Sequence, residues 1–178
     1  MAERGESDST GAAEEAERLS AGSIECLPEG RLAELLALDR PLRVKLGIDP
    51  TAPDLHLGHS VVLTKLREFQ DAGHQVVLII GDFTARVGDP SGRSTERPVL
   101  SQEEIERNAR TFAEQAFRIL DSERSEIRFN GEWLDMEAGD LLGLLSTTTV
   151  AQLLEREDFR NRMAAGKPGS ALELVYPL

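Results

Sequence analysis

The chain contains few aromatic residues, a single cysteine and no long apolar run. Aromatic residues make up 4% of the 178 residues while hydrophobic residues make up 40%, so the core must consist mainly of leucine, valine, isoleucine and alanine. A lone cysteine, Cys26, excludes a disulfide within the chain and is typical of a reducing compartment. We expect Cys26 to be a small buried apolar residue.

Signals for membranes and export are also missing from the sequence. No apolar run approaches the roughly 18 residues that a membrane-spanning helix requires. The N-terminal segment is acidic and polar, without the apolar stretch of a signal peptide. We therefore expect a cytoplasmic protein that makes no contact with a membrane.

The charge and length of the chain limit its class further. A net charge of -12 argues against a broad basic face for nucleic acid, although a local basic patch stays possible. The length suits one domain or most of one. Residues 1–13, rich in Glu, Ser, Gly and Ala, are predicted to be a disordered acidic tail, residues 14–41 a helical segment, and residues 42–178 the main domain.

Apolar periodicity predicts alternating strands and helices in the main domain. The predicted strands cover residues 43–48, 75–80 and 126–130, and the predicted helices 28–38, 57–72, 101–120 and most of 134–178, with a break near 165–169. Residues 75–80 are apolar on both faces, which is typical of a parallel sheet covered by helices. The order of elements predicts a doubly wound α/β sheet.

Two local expectations belong to these helices. The helix over 57–72 is expected to bury Val62, Leu66 and Phe69, and to stop at Gly73. Residues 101–104, Ser-Gln-Glu-Glu, have the pattern of a capping box that opens the next helix.

Polar residues follow the predicted strands, at the end where doubly wound sheets bind ligands. They lie in segments 47–59, 81–84 and 88–93 and include Asp49, Thr51, His56, His59, Thr84, Asp89 and Arg93. Histidines and a hydroxyl at a helix start suit phosphate oxygens, and carboxylates suit an ammonium. This mixture favours, loosely, an amino-acid site beside a nucleotide. A capped helix with two solvated histidines is the alternative, and the residues alone leave it open.

Other site types fit the sequence less well. A paired-histidine zinc helix spaces its ligands i, i+4, whereas His56 and His59 are three apart. The chain contains neither Gly-x-Gly-x-x-Gly nor a phosphate loop ending in Gly-Lys-Ser or Gly-Lys-Thr. A dinucleotide-binding fingerprint and a P-loop are therefore excluded. Asp89-Pro90-Ser91-Gly92 also has the composition of an ordinary β-turn.

Three ordered segments carry a family resemblance. Residues 47–59, GIDPTAPDLHLGH, resemble the His-x-Gly-His signature of class I aminoacyl-tRNA synthetases in its tyrosyl-tRNA synthetase version. Residues 88–94, GDPSGRS, resemble a second segment of that family at the expected distance, and residues 69–74, FQDAGH, a helix end between them. The resemblance implies a Rossmann-like (HUP-type) doubly wound parallel sheet over residues 42–178, the first half of a class I synthetase catalytic domain.

The resemblance also implies a reaction and its residues. A tyrosine–tRNA ligase activates tyrosine with ATP to tyrosyl-adenylate for transfer to tRNA(Tyr), with Mg²⁺ accompanying ATP and no tightly bound cofactor or metal ligands in the protein. Full-length members are expected to be homodimers. By position, the catalytic residues would be Thr51, His56 and His59; the ATP-binding residues Gly47, Asp49, Pro50 and Gly58; and the tyrosine-binding residues Thr84, Asp89 and Tyr176.

Two departures from the family pattern qualify these expectations. Lys45 and Leu46 stand where better-known members have a tyrosine and a cysteine, so recognition of the tyrosine phenol is open. The chain ends two residues into a motif that continues with Gln and Asp, and it lacks a Lys-Met-Ser-Lys-Ser type loop. We therefore expect a fragment with little or no activity alone. The alternative is a non-catalytic nucleotide-binding or interaction module, which a stop codon after Leu178 would favour.

Overall fold

A computed structural model describes residues 3–38, 40–87, 101–155 and 157–166. The chain order of its elements within these ranges is α1 (Glu3–Ser20), α2 (Arg31–Leu36), β1 (Arg43–Ile48), α3 (Leu57–Asp71), β2 (Gln75–Ile80), α4 (Thr84–Val87), α5 (Gln102–Ala116), a 3-10 turn (Ser122–Arg124), β3 (Ser125–Phe129), α6 (Gly131–Leu134), α7 (Ala138–Leu145), α8 (Val150–Leu154) and α9 (Glu157–Ala164). None of the described helices is long and apolar enough to cross a membrane.

The three strands form one parallel sheet in the order β1-β2-β3. The N–H groups of Gln75 and Gly81 donate to the carbonyls of Leu42 and Ile48, each at 2.9 Å, so β1 and β2 keep one register along their length. At the far end of β2, the N–H of Asn130 donates to the Ile80 carbonyl at 3.0 Å. The prediction of a parallel α/β sheet is confirmed. Within the described residues, the order of the strands in the sheet follows their order in the chain.

Most element predictions in the sheet region are confirmed. Strands β1 and β2 have the predicted bounds, and β3 begins and ends one residue earlier than predicted, at Ser125 and Phe129. Helix α3 stops where expected, with Gly73 in the left-handed region at φ 90°. The capping box also forms, since Ser101 N and Oγ both donate to Glu104 Oε2 at 2.8 Å and Glu104 N donates back to Ser101 Oγ at 3.3 Å.

The N-terminal region differs from the sequence predictions. Helix α1 begins at Glu3, although we predict disorder over residues 1–13. Its alanines and glutamates are strong helix formers, and Ala12 and Leu19 bury one face. Helix α2 is shorter than predicted because it begins only after Gly30, whose φ is 77°. Cys26 is exposed, because it lies in the loop between these helices.

The buried face of α3 also differs from the prediction. Leu63, Leu66 and Gln70 are its buried residues, whereas Val62 is 41% exposed and Phe69 half-buried. Positions 63, 66 and 70 follow the i, i+3, i+7 rule, and Val62 lies one step round the helix from them. Because the third buried residue, Gln70, is polar, apolar periodicity alone does not identify this face as the buried one.

The backbone contacts divide the chain into two compact units. Unit 1 comprises Met1–Leu46, Leu55–Leu78 and Glu114–Ile127, and unit 2 comprises Gly47–Asp54, Ile79–Ala113 and Arg128–Leu178. The core of unit 1 includes Leu19, Leu63, Leu66, Val76 and Leu78, and that of unit 2 Ile80, Ile105, Ala109, Phe112 and Phe159.

A buried glutamine organises unit 1. Gln70 Nε2 donates to the carbonyls of Asp121 and Arg124, both at 3.1 Å, and to Ser125 Oγ at 2.8 Å. Its Oε1 accepts the N–H of Asp121 at 3.0 Å. Both ends of one amide thereby join α3 to the turn before β3. The side chain lies at the point where that turn would otherwise leave polar backbone groups unpaired.

Candidate active site

The carboxyl ends of β1 and β2 meet in unit 2 around a carboxylate and a hydroxyl. Asp49 follows β1 directly, and Thr84 opens α4 after β2. The Thr84 hydroxyl donates to Asp49 Oδ1 at 2.7 Å. Gly81 permits this contact, since a Cβ atom there would lie 1.9 Å from Asp49 Oδ1 and 2.4 Å from Thr84 Oγ1. The structure thus joins a residue predicted to bind ATP to one predicted to bind tyrosine.

The end of β3 completes this cluster with Asn130. Its side chain is buried, with Nδ2 donating to Thr84 Oγ1 at 2.8 Å and Oδ1 accepting the N–H of Phe83 at 2.9 Å. Next to it, Asp82 Oδ1 accepts the N–H of Gly131 at 2.8 Å. Side chains from the ends of all three strands therefore share one hydrogen-bonded cluster within unit 2.

The turn after β1 is held from α5. Asn108 is buried and its Nδ2 donates to the carbonyl of Pro50 at 3.0 Å. Pro50 is itself fully buried, and Thr51 N donates to the Asp49 carbonyl at 2.8 Å. The backbone that carries Asp49 and Thr51 is thereby fixed at two points.

In unit 1, two histidines close the N-terminus of α3. His56 Nδ1 accepts the N–H of Gly58 at 3.1 Å, and His59 Nδ1 accepts the N–H of His56 at 3.1 Å. The rings lie 4.0 Å apart between centroids. This is a reciprocal capping box built from two imidazoles, which satisfies two N–H groups of the first turn. Gly58 makes room for it, because a Cβ there would lie 2.9 Å from His56 Cε1.

The capping geometry fixes the tautomer of both rings. Each Nδ1 accepts a hydrogen bond, so each neutral ring carries its proton on Nε2. The pKa of His59 is lowered from the ordinary value of 6.5, first because partial burial disfavours the charged ring and second because a charge on His56 would repel it. Near neutral pH, His59 is a neutral Nε2–H donor.

The predicted site residues distribute over both units. Asp49, Pro50, Thr51 and Thr84 lie in unit 2, as does Gly47, whose Cβ position is open; His56, Gly58 and His59 lie in unit 1. Asp89 and Tyr176 lie outside the described residues, as does Arg93. No group of three or more His, Cys, Asp or Glu in the described ranges is arranged to hold a metal ion.

The sequence did not single out two buried asparagines of this region: Asn130 in the cluster, and Asn108, which holds the turn after β1. Asn130 follows the third strand immediately, so the rule that ligand sites lie at carboxyl strand ends could have found it. Asn108 shares a helix face with Ile105, Ala109 and Phe112, all buried. An asparagine on an apolar face signals a buried polar group that needs a partner.

Comparison with known proteins identifies the family. Residues 37–178 match the model of the family described as tRNA synthetases class I (W and Y). The chain belongs to this family. The match includes β1, the capped helix α3 and the cluster around Asp49.

Curated relatives extend the match over most of the chain. The tyrosine–tRNA ligase of Thermotoga maritima is 55% identical over 166 residues, covering 93% of this chain and 41% of the relative. The tyrosine–tRNA ligase of Aromatoleum aromaticum is 53% identical over 163 residues, covering 91% and 41%. The chain therefore spans about two-fifths of the length of these relatives.

Solved structures support the fold. A C-terminally truncated mitochondrial tyrosyl-tRNA synthetase of Aspergillus nidulans matches with a TM-score of 0.71 and 22% identity, covering 97% of this chain and 56% of that one. The tyrosyl-tRNA synthetase of Archaeoglobus fulgidus, solved with L-tyrosine, matches with a TM-score of 0.72 and 20% identity, covering 93% and 49%. At this identity the likeness concerns the fold, which is the Rossmann-like class I arrangement.

Proposed function

We propose that the protein takes part in activating tyrosine with ATP, as a tyrosine–tRNA ligase or its N-terminal part. The observation that carries the proposal is the 55% identity to a tyrosine–tRNA ligase over 93% of the chain. The cluster of Asp49, Thr84 and Asn130 at the carboxyl strand ends supports it, since parallel α/β sheets bind ligands there.

We assign the phosphate end of the reaction to three residues that the family resemblance names. His56 and His59 would donate from Nε2 to ATP phosphate oxygens, and Thr51 from its hydroxyl. The capping geometry supports this role, because Nδ1 of each ring accepts a backbone N–H and the hydrogen of each ring is therefore on Nε2. Gly47, Pro50 and Gly58 would leave the backbone close to the nucleotide.

The amino-acid end of the reaction is assigned to Thr84, Asp89 and Tyr176. The Thr84 hydroxyl donates its single hydrogen to Asp49, so it faces any further ligand with an oxygen lone pair. A lone pair can accept from the ammonium group of tyrosine and cannot donate to its carboxylate. Asp89 would add the negative charge that pairs with the same ammonium.

The proposed mechanism requires no protein nucleophile. The tyrosine carboxylate attacks the α-phosphorus of ATP, the bond to the bridging oxygen of pyrophosphate breaks, and tyrosyl-adenylate forms. The residues named above would hold the two substrates together and stabilise charge that develops on the phosphates. Mg²⁺ would arrive with ATP, and tRNA(Tyr) would accept the tyrosyl group. We also propose a cytoplasmic location and a homodimer for the full-length protein.

The test is ATP–pyrophosphate exchange by the protein made from its complete reading frame. We expect exchange with tyrosine, and little with tryptophan, the other amino acid of the family description. ATP binding without exchange would instead favour the non-catalytic module. Exchange with tryptophan alone would refute the tyrosine assignment.

A further inference from the structure

Asn130 is a buried polar residue at the end of β3 with a defined orientation. It is 7% exposed and bonds to two residues of the loop and helix that follow β2. The first partner is the backbone N–H of Phe83, and the second is the hydroxyl of Thr84. These contacts lie within one compact unit together with Asp49.

The donor and acceptor groups available in these side chains fix the direction of every hydrogen bond in the series. A backbone N–H only donates, so the Asn130 oxygen must face Phe83 and the amide nitrogen must face Thr84. The amide nitrogen also only donates, so it occupies a lone pair of Thr84 Oγ1. The single hydroxyl hydrogen of Thr84 is then directed at Asp49 Oδ1, 2.7 Å away. Each donor in the series fixes the role of the next group.

We propose that Asn130 is a positioning residue for tyrosine activation, which orients the Thr84 hydroxyl towards Asp49 and leaves an oxygen lone pair for the substrate ammonium. The inference rests on the proposed function. Asn130 acts through Thr84 and is not itself a substrate ligand. It links Asp49, which follows β1 and is assigned to ATP, to Thr84, which opens α4 and is assigned to tyrosine.

An aspartate at position 130 would no longer orient the Thr84 hydroxyl, because it has no donor to replace Nδ2. It would still accept the Phe83 N–H, but it would face Thr84 with an oxygen in place of a donor. The Thr84 hydrogen would then have two carboxylates to choose from, Asp49 and the new one. Asn130→Asp therefore removes the orienting donor and keeps the other bond of the side chain.

The experiment is a double-mutant cycle of Asn130→Ala and Thr84→Val in the protein made from its complete reading frame. Tyrosine-dependent pyrophosphate exchange gives kcat/KM, and urea unfolding gives stability for all four proteins. We expect Asn130→Ala to lower kcat/KM for tyrosine about 10- to 100-fold, the range for a lost hydrogen bond in a charged network. In the Thr84→Val background, the further loss should be about threefold or less. Asn161→Ala, at an exposed position in α9, should leave kcat/KM unchanged.

The outcomes separate this inference from the proposed function. Equal losses in the two backgrounds would overturn the positioning role, because a merely structural contribution of Asn130 adds to that of Thr84. If the alanine variant does not fold, Asn130→Asp replaces it in the same cycle. If the wild-type protein shows no tyrosine-dependent exchange, the proposed function fails. The unfolding cycle then still decides whether Asn130 and Thr84 are coupled, and additive losses of stability would refute the link between them.

Discussion

A Cβ atom on Gly81 would lie 1.9 Å from Oδ1 of Asp49, closer than two non-bonded atoms can approach, so one of them would have to move. The carboxylate occupies the space that any side chain at position 81 would need. The close approach explains why a glycine follows β2, and it ties the hydrogen bond between Asp49 and Thr84 to the absence of a side chain.

Gly81→Ala should therefore expel Asp49 from its contact with Thr84. We expect unfolding to become easier by about 1–3 kcal/mol, the range for overpacking a closed site. Tyrosine activation should fall by more than this loss of stability explains. The matched control is Gly139→Ala in α7, where a Cβ meets nothing within 4 Å and the helix should gain up to about 1 kcal/mol. Activity and stability like those of the control would show that Asp49 does not need this space.

The capping role of His59 predicts a pH dependence of stability. Its pKa in the folded protein is below 6.5, so the folded ring resists the proton that the unfolded ring takes up. The contribution to stability is then fully present above pH 6.5 and is lost as the pH falls through the lower folded value. Protonated Nδ1 also cannot accept the His56 N–H.

His59→Gln tests this dependence, because glutamine caps the same N–H without titrating. The free energy of unfolding should decline less in the variant than in the wild type between about pH 7.5 and about pH 5. Direct titration of the ring by NMR should give a value below 6.5. A ring that titrates above 6.5, with parallel pH profiles for both proteins, contradicts the assignment.

Gln70 should be a main source of stability in unit 1. Gln70→Leu keeps the volume near that of the native residue but takes the glutamine partner away from the N–H of Asp121 and the carbonyl of Arg124. The Asp121 carbonyl keeps the Ser125 hydroxyl as a donor. We expect a loss of about 2–4 kcal/mol, equivalent to one or two buried polar groups left unpaired. Gln102→Leu, at an exposed position in α5, should change stability little. Urea unfolding measures both, and equal stabilities would mean that water replaces the glutamine.

Asn108 should influence ATP more than tyrosine. Its amide holds the Pro50 carbonyl at 3.0 Å, and this turn leads to Thr51, which is assigned to the phosphates. Asn108→Ala should cost roughly 1–2 kcal/mol of stability and raise the KM for ATP with little change in the KM for tyrosine. Asn161→Ala provides the exposed control. A rise in the tyrosine KM alone would reverse the assignment of this turn.

The local signals in the sequence were sufficient for most elements of the sheet. The apolar run of β2 needs both faces covered, which allows only a parallel arrangement with helices around it. Strand β1, the stop at Gly73 and the Ser101–Glu104 capping box depend on neighbouring residues alone, and all were predicted correctly. Predictions failed where a distant contact overrides local pattern, as at Gln70, whose partners are more than fifty residues away.

The site divides in the same way. Residue type and strand order predicted that Asp49 and Thr84 lie close together, because the carboxyl ends of neighbouring parallel strands meet at one edge, and the hydrogen bond between them agrees. The roles of the two histidines stay predictions. The position of Asn130 directly after β3 places it at the ligand edge of the sheet, but the sequence does not show which groups its amide contacts. Asn130 contacts Thr84 because β3 pairs with β2 in the sheet, and this pairing is decided by the tertiary structure.

The sequence by itself determined the family, the strands and the residue types of the site, since these follow from short patterns and from the order of segments. The tertiary structure decided which polar groups are partners and therefore which direction each hydrogen bond takes. A donor or acceptor role depends on the atom that lies opposite, and that atom is brought there by folding from a distant part of the chain. For this reason the hydrogen-bond partners of Asn108 and Asn130, and the close approach of Asp49 to Gly81, are known only from the folded protein.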